Sequence, residues 1–119
     1  MTFGEYLKLK RTEKGITLRK FSQMVGIAPS YMSDIEKSKR NAPGEDILNK
    51  IIYILELTDD EKSEFLDLAA SSKDIIACDI KEYISDNSNV RVALRKAKDL
   101  NIGNDEWIKI IEDIINRKE

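Results

Sequence analysis

The chain has 119 residues, of which 41% are hydrophobic and 35% charged, with a net charge of −2, one cysteine and no histidine. This composition is typical of one globular domain, with or without an appendage, and not of a disordered chain. Histidine is the commonest general base and metal ligand, and the five glycines are too dispersed for a phosphate-binding loop. We therefore expect no enzymatic activity, no metal and no other cofactor.

The charges are distributed unevenly along the chain. Residues 1–43 contain nine Lys/Arg and four Asp/Glu, whereas residues 44–119 contain eleven Lys/Arg and eighteen Asp/Glu. A basic segment can neutralise nucleic-acid phosphates, and an acidic segment is better suited to self-association or to a protein partner. Because the sequence lacks a run of eighteen apolar residues and a signal-peptide stretch, we expect a cytoplasmic protein with no membrane partner.

Hydrophobic residues recur at helical spacing and predict eight helices and no strands, an all-α fold. The first helix is predicted from Phe3 to Lys14, with Thr2 as its N-cap. Thr17 is predicted to cap the second helix, which ends at Gly26 because glycine readily adopts the left-handed conformation of a tight turn. The third helix begins at Pro29, because the first N–H of a helix has no partner within the helix and proline lacks that N–H.

This short connection between two helices predicts a helix-turn-helix. Tyr31, Met32 and Ile35 form the apolar stripe of the third helix, which leaves its polar residues on the opposite face. A helix with this arrangement can lie in the major groove of DNA and contact base edges. The predicted base-contacting residues are Pro29, Ser30, Ser33 and Asp34.

The remaining five predicted helices follow from their apolar stripes and caps. The stripe in residues 47–55 predicts the fourth helix, and Thr58 and Glu61 form a capping box that begins the fifth. Three more apolar patterns follow, and Asn104 is predicted to cap the last helix.

The apolar pattern lapses around Ser71-Ser72-Lys73-Asp74. We interpret this lapse as a boundary between a DNA-binding domain at residues 1–72 and a helical C-terminal extension at residues 73–119. The extension is predicted to serve dimerisation or partner binding.

The amino-terminal part contains several short motifs in a fixed order. They are Gly15-Ile16-Thr17, Val25-Gly26-Ile27, Pro29-Ser30-Tyr31-Met32-Ser33 and the run from Ile35 to Pro43. On these motifs, residues 3–57 resemble the Cro/cI-like (XRE) helix-turn-helix family. The resemblance implies a five-helix repressor-like DNA-binding domain whose third helix lies in the major groove, with backbone contacts at both ends of the helix pair.

Two departures from the family pattern bear on base recognition. Leu18 stands where many members have a glutamine that contacts DNA, and the third helix lacks the Gln or Arg residues with which many phage members read purines. Serine and aspartate offer no bidentate purine contact, so we expect modest base readout, supplemented by DNA shape and symmetric spacing.

The basic residues of the first 43 positions are candidates for phosphate contacts, although about half are expected to be ordinary solvated surface. The full set comprises Lys8, Lys10, Arg11, Lys14, Arg19, Lys20, Lys37, Lys39 and Arg40. Tyr31 has two alternative roles, since its hydroxyl can contact a phosphate or its ring can belong to the edge of the core. The predicted phosphate-contacting residues are Thr17, Arg19, Tyr31, Lys37, Lys39 and Arg40.

The last helix has a broad apolar face that is suited to a partner. Intrachain packing is the alternative. The predicted dimer or partner surface consists of Trp107, Ile108, Ile111 and Ile115.

These features predict a sequence-specific DNA-binding transcriptional regulator, a homodimeric repressor that binds an inverted-repeat operator in double-stranded DNA. The alternative is an antitoxin that regulates its own operon through the same domain. Residues 79–84 and 90–97 weakly resemble tails of regulators encoded beside toxins or metalloproteases, so the C-terminal helices would then bind a toxin or a metalloprotease.

Overall fold

The computed structural model describes residues 1–117. Within this range the chain forms eight α-helices and no strand, so the expected all-α class is confirmed. It divides into two compact units, Met1–Lys81 and the residues from Glu82 onward. The helices are α1 (Phe3–Glu13), α2 (Leu18–Val25), α3 (Pro29–Glu36), α4 (Glu45–Leu55), α5 (Asp59–Ser72), α6 (Cys78–Asp86), α7 (Ser88–Asp99) and α8 (Asn104–Asn116).

Most helix starts lie where the capping residues predict them. The Thr17 hydroxyl accepts a hydrogen bond from the Lys20 amide, and Thr58 and Glu61 form the expected capping box at the start of α5. The cap of α8 lies one residue earlier than predicted, because Gly103 is the N-cap and Asn104 is the first helical residue. Among the described residues, no side chain accepts a hydrogen bond from the first backbone amides of α8.

The first unit has a core to which each of its first five helices contributes. Leu7, Phe21, Met32, Ile51 and Phe65 are fully buried, one from each helix. Burial of this apolar surface supplies most of the driving force for folding. The five helices therefore stabilise one another and hold α2 and α3 in a fixed arrangement.

The first turn of α1 packs directly against the end of α3. A Cβ atom added at Gly4 would lie 2.3 Å from the Ile35 carbonyl oxygen and 2.7 Å from that of Glu36. These separations are far below van der Waals contact, so only glycine allows this approach of the two backbones.

A second contact joins the other end of α1 to the end of α3. The Arg11 guanidinium donates two hydrogen bonds to the Glu36 carboxylate, Nε to Oε2 at 2.7 Å and Nη2 to Oε1 at 2.9 Å. Its Nη1 also donates to the Ile16 carbonyl at 2.8 Å. Both charged residues are buried, and this bidentate geometry compensates for their desolvation.

An ion pair connects α1 to α5. The Lys10 Nζ atom lies 2.6 Å from Glu61 Oε2 and 3.3 Å from Glu13 Oε1. The hydrogen bond from Lys10, together with the Thr58 amide, lowers the pKa of Glu61 to about 2, and the Glu61 contact raises the pKa of Lys10. Glu61 thus serves both as a helix cap and as the partner of α1.

The first compact unit continues beyond the predicted boundary after Ser72. The Ile75 amide donates to the Ala70 carbonyl at 3.0 Å, and Ala77 is buried within the core cluster. The division at Lys81 falls inside α6. Independent folding of residues 1–72 stays a prediction.

The second unit contains α7, α8 and the end of α6. Arg91 stabilises the turn between α6 and α7, since its Nη1 atom donates to the carbonyl oxygens of Ile84 and Ser85 at 2.8 and 2.7 Å. None of the described residues of these helices is fully buried in the single chain. Within residues 1–117, no helix is long and apolar enough to cross a membrane.

Candidate nucleic-acid interface

The helix pair α2–α3 is held by a tight turn and by the core beneath it. Gly26 adopts the left-handed conformation with φ of 88°, and the amides of Gly26 and Ile27 both donate to the Ser22 carbonyl. This is the reversal that the sequence predicts at Gly26. On the inward side, Val25 and Ile35 are buried in the core. The outward surface of the pair is therefore presented in a fixed orientation.

The predicted base-contacting residues lie on the first two turns of α3. Pro29 occupies the first helical position and is exposed, as is Ser30, whereas Ser33 and Asp34 are half-buried. The structure thus brings the four residues together on one helix.

Leu18 is one of the two departures from the family pattern, and its packing accounts for it. It is partly buried and packs against the core cluster. A leucine at this position contributes to packing and offers no polar group to DNA.

Thr17 and Arg19 lie at the amino-terminal end of α2. The Thr17 Oγ1 atom accepts a hydrogen bond of 3.2 Å from the Lys20 amide, so its hydroxyl proton can still be donated to an acceptor. Arg19 is exposed in the first turn. The positive end of the helix dipole adds to the attraction of this end for an anion.

We call residues 37–40, which follow α3 directly, the basic turn. All four are exposed, and Ser38 adopts a left-handed conformation with φ of 61°. Two contacts fix the turn: the Lys39 amide donates to the Asp34 carbonyl at 2.9 Å, and the hydroxyls of Ser38 and Thr2 share a hydrogen bond of 3.0 Å. Lys37, Lys39 and Arg40 are thereby presented from an ordered backbone.

Tyr31 contacts both the core and the basic turn. It is half-buried on α3 and packs against the core cluster. The Arg40 Cζ atom lies 5.4 Å from the centroid of the Tyr31 ring, within the range of a cation–π interaction. Tyr31 therefore belongs to the core edge and also touches an exposed cation.

Three of the nine basic candidates have carboxylate partners within the first unit. Arg11 pairs with Glu36, Lys10 with Glu61 and Glu13, and Lys14 with Glu56 at 3.5 Å. The buried Arg11–Glu36 pair is not among the features predicted from the sequence. Arg11 follows the buried Leu7 by four residues, a spacing that places both on the same face of α1 and signals an inward orientation.

The predicted dimer or partner residues lie on α8 in the second unit. Trp107 is partly buried, whereas Ile108, Ile111 and Ile115 are 51%, 52% and 63% exposed. Packing within the single chain thus leaves most of this apolar face open to solvent.

The family model that matches this chain is described as a helix-turn-helix and covers residues 7–61. Residues 7–61 belong to the Cro/cI-like (XRE) helix-turn-helix family. In this chain, the helices α2 and α3 form the helix-turn-helix pair. This finding confirms the family resemblance of the amino-terminal part.

Two curated relatives are similar to the helix-turn-helix domain. They are the HTH-type transcriptional regulators SinR of Bacillus subtilis (strain 168), 34% identical over 55 residues, and of Bacillus licheniformis, 33% identical over 55 residues. Each match covers 46% of this chain and 50% of the relative. The chain thus spans about half the length of the curated relatives it matches. These relatives are transcriptional regulators and not enzymes.

A solved structure, that of a SinR protein/SinI protein complex, shows a similar fold over nearly the whole chain. It aligns with a TM-score of 0.51, 21% sequence identity and coverage of 98% of each chain. At this level of identity the similarity concerns the fold alone.

Proposed function

We propose that the protein is a DNA-binding transcriptional regulator that acts as a homodimer on an inverted-repeat operator. The observation that carries this proposal is the fixed α2–α3 pair, which presents the small side chains of α3 between two exposed basic ends. Such a pair can place its second helix in the major groove while its first helix crosses the phosphate backbone. The transcriptional regulators that share the matching domain support the same function.

The proposed contacts divide into two classes. Thr17, Arg19 and the cations of the basic turn bind phosphates, because they are exposed at the ends of the helix pair. Pro29, Ser30, Ser33 and Asp34 face base edges: the serine hydroxyls suit several bases and the Asp34 carboxylate suits a cytosine amino group. Readout is modest because none of these side chains makes a bidentate purine contact.

The apolar face of α8 supports the homodimer. Its isoleucines are more than half exposed in the single chain, and burial against a second copy would remove them from water. The side-chain charges of α7 and α8 are also complementary, since those of α7 are mostly basic and those of α8 mostly acidic. The basic side chains of α7 are Arg91, Arg95, Lys96 and Lys98, and the acidic ones of α8 are Asp105, Glu106, Glu112 and Asp113.

Selection of bound DNA from a random pool, combined with sedimentation of the complex, tests this proposal. We expect an inverted repeat with half-site centres about 34 Å apart, bound by two protomers. Affinity should fall steeply with salt because several phosphates are neutralised. An asymmetric site bound by a sedimentation-proven monomer would contradict the dimer, and the absence of duplex binding at low salt would contradict the function itself.

A protein partner on the same α8 face is the second candidate. The solved structure of similar fold is a complex of two different proteins, and the partner classes suggested by the C-terminal sequence are a toxin and a metalloprotease. The oligomeric state of the wild-type chain separates the two cases. If the face forms the homodimer, the wild-type chain is a dimer and Ile111→Asp becomes monomeric. A wild-type chain that is monomeric both on and off DNA would instead favour the partner, and the genes beside its own would then name it.

A further inference from the structure

The Tyr31 ring and the Arg40 guanidinium form a pair of unequal mobility. Tyr31 is held by the core, whereas Arg40 is exposed and has a long, flexible side chain. Their separation of 5.4 Å allows the electron-rich ring face to attract the cation. The ring is therefore the fixed member of the pair, and Arg40 takes its position from it.

A guanidinium can lie over a ring and donate hydrogen bonds at the same time. The attraction to the ring depends on its positive charge, while its N–H groups remain able to donate to phosphate oxygens. An exposed arginine loses conformational freedom when it binds a phosphate. Contact with a fixed ring removes part of that freedom before binding and so reduces its cost.

The backbone of the basic turn does not depend on this ring. Two hydrogen bonds fix the turn without Tyr31: one from the Lys39 backbone amide to the Asp34 carbonyl, and one between the hydroxyls of Ser38 and Thr2. The ring is thus needed for the placement of the Arg40 side chain and not for the path of the chain.

We propose that Tyr31 is a positioning residue that holds Arg40 for a DNA phosphate through the face of its ring, and not through its hydroxyl group. This inference rests on the proposed function, because it requires Arg40 to contact DNA. The sequence leaves two roles open for Tyr31, a phosphate contact through its hydroxyl or a place at the edge of the core. In the proposed role the ring belongs to the core edge and acts on DNA only through the neighbouring Arg40.

A double-mutant cycle tests the proposal with a double-stranded DNA oligonucleotide as the probe. Phosphate contacts are independent of sequence, so no operator is needed. Tyr31→Phe should bind within twofold of wild type, and Tyr31→Leu about two- to fivefold more weakly. In the Arg40→Ala background, Tyr31→Leu should have no further effect. Tyr53→Leu is the matched control, since this tyrosine is exposed on α4, and it should bind like wild type.

A second measurement needs no substitution at Tyr31. In the free wild-type protein, the ring current should shift the Arg40 side-chain protons upfield in the NMR spectrum relative to those of Arg19. Unshifted Arg40 protons would overturn the inference even if Tyr31→Leu failed to fold.

The outcomes separate this inference from the proposed function. Equal losses in Tyr31→Phe and Tyr31→Leu would assign the contact to the hydroxyl group and overturn the ring's role. A loss in Tyr31→Leu that persists in the Arg40→Ala background would show that Tyr31 does not act through Arg40. Failure of the wild-type protein to bind any duplex would instead refute DNA binding.

Discussion

Substitution of Gly4 by alanine should destabilise the first unit markedly, although alanine is the better helix former. The added Cβ atom would meet the carbonyl oxygens of Ile35 and Glu36 at 2.3 and 2.7 Å. Both oxygens belong to backbone, so α1 or the end of α3 must move. Overpacking of this kind costs about 3 kcal/mol at the upper end of its usual range, and the helix preference of alanine offsets about 1 kcal/mol. We expect a net loss of about 2 kcal/mol.

The measurement is urea unfolding followed by far-UV circular dichroism, with Gly44→Ala as the control. Gly44 has open space where its Cβ would lie and a φ of −67°, which alanine adopts readily. The control should therefore change the free energy of unfolding by less than about 1 kcal/mol. If Gly4→Ala behaved like the control, the close approach of α1 to α3 would be wrong.

Three further predictions concern charged residues. Arg11→Met or Glu36→Gln alone should cost about 3 to 5 kcal/mol of stability, because each leaves a buried polar group without its partner, whereas the double variant should cost clearly less; chemical denaturation of all three checks this. The pKa of Glu61 is lowered from 4.5 to about 2 in the folded chain, so the stability that its ionised form contributes is fully present above 4.5 and is lost as the pH falls towards 2. Unfolding free energies measured across this window should fall less steeply in Glu61→Gln, and identical slopes would show that the Glu61 carboxylate does not contribute to the pH dependence. In parallel selections of bound DNA, Arg40→Ala should keep the wild-type consensus while Asp34→Ala changes it at one position of each half-site; the reverse pattern would exchange the roles assigned to these residues.

The helix starts and the tight turn could be predicted because they depend on a few neighbouring residues. Thr17, Gly26 and Thr58 act through amides within a few positions of themselves, and the structure confirms all three. The predicted cap of α8 is wrong by one residue because Gly103 and Asn104 are both acceptable caps, and composition alone does not choose between them.

The partners of charged side chains could not be predicted, because they lie far away in the sequence. Arg11 and Glu36 are 25 residues apart, and nothing local to either identifies the other. The role of the α8 face could not be predicted for a different reason. An apolar stripe has the same pattern whether its own chain or a second molecule covers it.

The hydrogen bond between Thr2 and Ser38 makes the first turn of α1 and the basic turn a coupled pair. Any ligand that immobilises Ser38 stabilises the first turn of α1, which Thr2 caps. By reciprocity, any disturbance of that turn lowers the affinity for the ligand. Slower amide hydrogen exchange at Glu5 and Tyr6 would therefore report occupancy of a surface that neither residue touches. For the same reason, an affinity tag fused ahead of Thr2 is a perturbation of the proposed DNA-binding surface, and a carboxy-terminal tag avoids this coupling.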